Sequence, residues 1–120
     1  MGPLDVLKST VTISAPLNGV GTRIVTVKAL DSNSNPIAGY QFNLEIIITN
    51  NDNTRAEMYG VQEILQGSKT KPITEVTNAQ GEVGFDITFF TAIDSGDGIS
   101  VQVKTIDNQN IGLPFSYINP

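Results

Sequence analysis

Residues 26–48 read TVKALDSNSNPIAGYQFNLEIII, and this stretch decides the fold. Two β-type runs flank one polar hinge, Asp31-Ser32-Asn33-Ser34-Asn35-Pro36. Asp and Asn side chains bond their own backbone in such hinges, and proline has no amide with which to continue a strand ladder. Before the hinge the apolar Val25, Val27 and Ala29 recur at every second position; after it Phe42, Leu44, Ile46 and Ile48 do the same, with Ile47 on the polar parity. A period of two marks a strand with one buried face.

Working outward, 120 residues suit one domain that buries a core without help from a metal or disulfide. Only 16% of the residues are charged, while Thr, Asn, Ser and Gly are plentiful, as half-buried strands and tight turns require. The net charge of −5 argues against nucleic acid and against anionic headgroups, both of which demand Lys and Arg. Without cysteine there are no disulfides or thiolate sites; without histidine the commonest general base and zinc ligand are gone. No apolar run reaches the ~20 residues of a membrane helix, so direct membrane insertion is not expected. The opening Met-Gly-Pro-Leu-Asp-Val lacks the basic start and apolar core of a signal peptide.

Residues 1–8 read as a linker or expression remnant, and 9–118 as a single domain. Val11 and Ile13 give a first strand; Asn18-Gly19 is a turn. A second strand spans about 22–30 and a third about 40–49. Residues 50–71 show neither clean alternation nor a helical stripe, and are expected as a long loop with room for one edge strand or a helical turn. A short strand is expected at 73–77, then the turn Asn78-Ala79-Gln80-Gly81. Val83, Phe85, Ile87 and Phe89 alternate most cleanly of all. Ile99, Val101 and Val103 follow, then Leu113, Phe115 and Tyr117. About seven short strands with regular turn signals, carrying a long insertion between the third and fourth, predict an all-β sandwich.

Chemistry is sparse. Asp31-x-Asn33-x-Asn35 spells the start of a calcium loop, but Pro36 stands where glycine is required and Phe42 where a bidentate Glu is required. An Asx turn is the simpler reading. Asp52, Asp94 and Asp97 lie on loops that a sandwich could bring to one end, as candidates for calcium. Glu57, Glu63 and Glu75 could pair as hydrolytic carboxylates only across a cleft, which a small sandwich does not offer. No enzyme is expected, and no cofactor. Tyr40 and Tyr117 share core parity; Tyr59 and Phe90 remain as exposed aromatics for a glycan. Arg55, Tyr59, Lys69 and Lys71 fall in the long segment, which so holds three of the seven basic residues of an acidic chain. Arg and Tyr are favoured where partners dock. They are the candidate partner-binding residues, on a segment expected to be removable without unfolding the sandwich.

Val25-x-Val27-x-Ala29-x-Asp31, then Asn35-Pro36-Ile37-x-Gly39 and Phe42, resembles the bacterial Ig-like domain of the invasin and intimin type (group 1 bacterial immunoglobulin-like). Thr77-Asn78-x-x-Gly81 before Val83-x-Phe85-x-Ile87 resembles that family's second landmark, and Ser95-Gly96 before Ile99-x-Val101-x-Val103 its third. The resemblance spans about 9–118 and fails at 50–71, which is longer than the family has there. It implies an immunoglobulin-like sandwich and a non-catalytic spacer or adhesion module of a cell-surface or secreted bacterial protein. Its implied partners are neighbouring domains of the same chain, or a host or surface protein or glycan, with the isolated domain a monomer. It supplies no ligand residues. In the Ig order, loops 31–36, 78–81 and 107–110 share the pole of the N-terminus, with hairpins around Asn78 and Asp107. Loops 16–21, 50–71 and 92–98 share the other pole with the C-terminus. Two alternatives stay open: a calcium, carbohydrate or protein-binding module using 50–71, and a surface subunit of a virion or filament. Lys28 with late asparagines also resembles a surface fold that crosslinks Lys to Asn, but Lys28 has the solvent parity.

Overall fold

The computed structural model describes residues 3–51 and 53–120. It is an all-β sandwich of two antiparallel sheets with nine strands among those residues. In chain order these are β1 (Thr10–Ile13), β2 (Gly21–Lys28), β3 (Asn43–Ile48), a 3-10 turn (Thr49–Asn51), β4 (Thr54–Met58), β5 (Val61–Leu65), β6 (Gly67–Pro72), β7 (Glu82–Phe89), β8 (Gly98–Lys104) and β9 (Asn110–Ile118). One sheet has the order β1-β2-β7-β4-β5, the other β6-β3-β8-β9.

The alternation in the sequence sets the register. Val25 lies opposite Phe85 and Val27 opposite Val83 in the first sheet; Ile46 lies opposite Val101 and Leu44 opposite Val103 in the second. A one-residue slip would turn each of these apolar sets to solvent. Phe42, Phe85, Leu44, Ile46 and Ile87 are all but fully buried at the centre of one apolar cluster. Burying each such side chain stabilises the fold by about 1.5–3 kcal/mol.

The hinge closes as an Asx turn. Asp31 Oδ1 accepts the amides of Asn33 and Asn35, both at 2.9 Å, so this carboxylate caps its own turn. Gly81 packs against the same pole with φ +77°, and a Cβ there would sit 2.6 Å from the Ala29 carbonyl oxygen, so only glycine fits. Residues 4–8, expected from the sequence as part of a linker, fold back on this pole: Leu4 bridges Asp31, and the Asp5 amide donates to the Leu30 carbonyl at 2.9 Å.

Residues 54–72 overturn the expectation of a removable loop. They form three strands, and Thr54, Ala56, Met58 and Leu65 are buried at 0–1% exposure. β4 adds to the free side of β7, and a two-residue turn at Tyr59-Gly60, both with positive φ, returns the chain as β5. The chain then changes sheets between Leu65 and Gly67 and pairs with β3 as β6. The strand expected at 73–77 is a bend, because β6 already occupies the edge of β3. The Asn78 turn therefore passes between sheets instead of closing a hairpin, while the Asp107 turn does join the paired strands β8 and β9.

The last strand also departs from its alternation. A bulge lies in β9 where its pairing with β8 passes from Val101/Phe115 to Val103/Ile111. Ile111 goes into the core and Leu113 is thrown out at 87% exposure. The bulge forms around a buried amide: Gln102 Nε2 donates to the carbonyls of Val103 and Ile111, each at 3.0 Å.

Candidate functional site

The candidate residues belong mainly to one end of the sandwich, where β3, β7 and β9 finish and β4 and β8 begin. The loop 93–98 is fixed there by hydrogen bonds between its backbone and neighbouring side chains and main chain. Asn50 Nδ2 donates to Gly96 O at 2.9 Å, Gly96 N to Asn119 O at 2.7 Å, and Asn119 Nδ2 to Ile93 O at 2.9 Å. Thr49 Oγ1 accepts the Gly98 amide at 2.7 Å. Asp97 is buried in this knot at 7% exposure, and its amide donates to Asp94 O at 3.0 Å. Asp94 and Asp97 thus share one tight turn; Asp52, the third proposed calcium ligand, lies outside the described residues. Among the described residues no three acidic, His or Cys side chains converge as a metal site would.

The four partner-binding candidates separate. Lys69 and Lys71 reach from β6 to Glu63 on β5, Nζ to Oε1 and Nζ to Oε2, each at 3.2 Å, and so tie the two sheets across the strand switch. Burial pushes the Glu63 carboxyl up, but the two ammonium groups outweigh it and hold it below the usual carboxylate range. Tyr59 is half-buried: its ring stands edge-on to Phe85, centroids 4.8 Å apart, and its hydroxyl donates to the Gly84 carbonyl at 3.1 Å. Burial raises its phenol above the ordinary value, with the nearby Glu75 carboxylate adding to the rise.

Arg55 alone of the four projects from the outer face without an ion pair among the described residues. It stands in a row that crosses the five-stranded sheet. Ile64 pairs with it on β5, the Phe90 amide donates to its carbonyl at 2.8 Å, and Val20 precedes Gly21, which pairs with Phe89. Val20, Phe90 and Ile64 are 60%, 45% and 54% exposed, which makes the row an apolar stripe with one guanidinium in it. A shallow recess of about 220 Å³ lies at its β5 end, lined by Arg55, Gln62, Glu63 and Ile64.

Elsewhere, Lys28 is exposed on β2 opposite Thr10 and Glu82. Tyr40 is half-buried at the other pole, its ring 4.7 Å from that of Phe42. Asp107, on the β8–β9 turn, is held below the usual carboxylate range by the Thr105 hydroxyl.

Two residues that matter here carry no chemical motif. Arg23 is 5% exposed, and its Nε and Nη1 donate to the carbonyls of Pro16 and Val20 at 2.8 and 2.9 Å. Its guanidinium lies 5.8 Å from the Phe89 ring centroid. It shares the parity of Val25 and Val27, and that parity is the signal that finds it. Gln102 offers no such signal, because its parity is that of the outer face.

No family model matches the chain, and no curated protein is similar to it. Among solved structures it is similar to a conjugative transposon lipoprotein from Bacteroides eggerthii DSM 20697, with a TM-score of 0.55 and 16% identity over 93% of this chain and 98% of that one. At that identity the likeness concerns the fold alone.

Proposed function

We propose that the chain is a non-catalytic immunoglobulin-like module of a bacterial cell-surface or secreted protein, working as a spacer or as an adhesion or interaction domain. The placement of its two ends carries this reading. The N-terminal segment is bound beside Asp31 at one pole, and Asn119 beside Gly96 and Asp97 at the other, on a body 46 Å long and about half as wide. A module entered at one pole and left at the other transmits length and tension through its strands. The strand order supports the immunoglobulin-like assignment: β1-β2-β7 facing β3-β8-β9 has the sequence of strands A-B-E facing C-F-G, with β4–β6 in place of a single fourth strand. An envelope location agrees with the lipoprotein named in the likeness above; surface display is the proposal.

The test is made in the cell that carries the gene. The tagged parent protein should fractionate with the envelope or the medium and be cut by protease added to intact cells. Replacement of the module by an unrelated sandwich of equal length should preserve function if it is a spacer. Recovery of the parent solely from the cytosol would sink the reading. Excess calcium should leave the melting temperature unchanged, since Asp94 and Asp97 are joined by no third described ligand; a rise reversed by chelator would favour the calcium-binding alternative instead.

Partner recognition at the C-terminal pole is the second reading, favoured by the row Val20, Phe90, Arg55 and Ile64. It expects Arg55→Glu to weaken contact with whatever adjoins that pole while leaving the melting temperature unchanged, and a loss of stability in that variant would count against it.

A further inference from the structure

We infer that the Asn18–Gly19 bond is a spontaneous modification site, at which the molecule slowly acquires one negative charge and, in part, a lengthened main chain. Asn18 is the one asparagine of the chain that precedes glycine. It is exposed, and among the described residues neither its amide nor the Gly19 backbone nitrogen is held by a hydrogen bond. Gly19 has φ +117° and nothing within 4 Å of the place a Cβ would take, so no other side chain or backbone crowds the turn on that side. Other asparagines are tied down: Asn78 Oδ1 accepts the amides of Gln80 and Glu82, while Asn50 and Asn119 donate their Nδ2 to carbonyls.

The step needs only water. The Gly19 nitrogen attacks Asn18 Cγ; the N–Cγ bond forms, the Cγ–Nδ2 bond breaks, and the Gly19 amide proton leaves with the nitrogen as ammonia. Water then opens the five-membered imide at one carbonyl or the other, giving aspartate or isoaspartate at position 18. The consequence reaches inward because of Arg23. The carbonyls of Pro16 and Val20, which flank the site, are the acceptors of that buried guanidinium. Isoaspartate inserts a methylene into the main chain between them, whereas aspartate leaves the spacing intact.

The folded protein is aged in mildly alkaline buffer and digested with trypsin, which cuts after Lys8 and Arg23 and yields peptide 9–23 with Asn18 as its single asparagine. That peptide should gain one mass unit before any other does, with ammonia released in an amount equal to all the mass-shifted peptide and isoaspartate, detected by isoaspartyl methyltransferase labelling, making up part of it. Asn18→Gln should abolish all three signals. Aged protein should melt below fresh Asn18→Asp protein, which has the charge without the extra methylene. Two results overturn the inference: another peptide gaining mass first, or 9–23 unchanged over the time in which the free synthetic peptide converts. Equal melting of aged and Asn18→Asp protein overturns the link to Arg23.

Discussion

β7 and the β5–β6 pair solve the same problem with different chemistry. β7 is flanked by β2 and β4, and its side chains alternate without exception: Val83, Phe85, Ile87 and Phe89 inward, Glu82, Gly84 and Asp86 outward. β5 and β6 are the outermost strands of their two sheets on the side where the chain changes sheets. Their one fully buried apolar side chain is Leu65; Val61 and Ile64 are exposed, and the two sheets are joined by Glu63 held between Lys69 and Lys71. A central strand is covered on its inner face along its whole length, so hydrophobic burial alone fixes its register. An edge strand is half covered, and lysines on it also deter pairing with a further chain.

The largest test replaces 51–70 with a short Gly-Ser turn. The sequence leads one to expect a folded sandwich, since closure costs vary slowly with loop length. The structure predicts loss of cooperative unfolding, because Ala56, Met58 and Leu65 leave the core and the free edge of β7 is exposed. A sharp thermal transition with dispersed amide resonances would break the comparison at once. Single substitutions sharpen it: Phe85→Ala should cost about 3–5 kcal/mol and Met58→Ala about 2–5 kcal/mol. Val61→Ser should stay within about 0.5 kcal/mol. Chemical denaturation checks all three, and a neutral Met58→Ala would return β4 to the status of a loop.

Next in size is Arg23. Arg23→Met keeps an unbranched stem and removes the guanidinium near Phe89 together with the donors to Pro16 and Val20, so it should cost about 1.5–3 kcal/mol, the worth of hydrogen bonds from a charged group. If the midpoint does not move, the 16–20 loop is held by something other than the guanidinium.

How much of this was legible follows from the same contrast. Alternation over Val25–Ala29, Leu44–Ile48, Val83–Phe89 and Ile99–Val103 revealed the central strands of both sheets and the two-layer architecture. It failed at β4, whose inward residues Thr54, Ala56 and Met58 include a polar and a small side chain, so no apolar stripe announces them. It failed at β6, whose partly buried positions are Gly67, Lys69 and Lys71. It failed at Leu113, because a bulge can be located only once the partner strand is known. Of the partner candidates, Arg55 is the one exposed on the outer face without an ion pair among the described residues. Tyr59 and the two lysines had their roles decided by neighbours distant in sequence, Phe85 and Gly84 for the first and Glu63 for the others.

The smallest expected effect concerns the charge cluster itself. Glu63→Gln keeps the shape and removes the carboxylate, and at neutral pH it should cost no more than about 1 kcal/mol, because these side chains remain in contact with water. Its sign with pH is fixed. The folded carboxyl is held below its ordinary value of about 4.3, so the unfolded chain takes up the proton first as pH falls. The stabilisation is therefore fully present above the ordinary carboxylate range and is lost as pH falls through the lowered folded value. The gap in denaturation midpoint between the native chain and Glu63→Gln should be widest near neutrality and at low salt, and should close in acid or at high salt. A gap that stays constant across pH would mean that Glu63 acts through packing at the strand switch, and that the β5–β6 edge is held apolar-fashion after all, as β7 is.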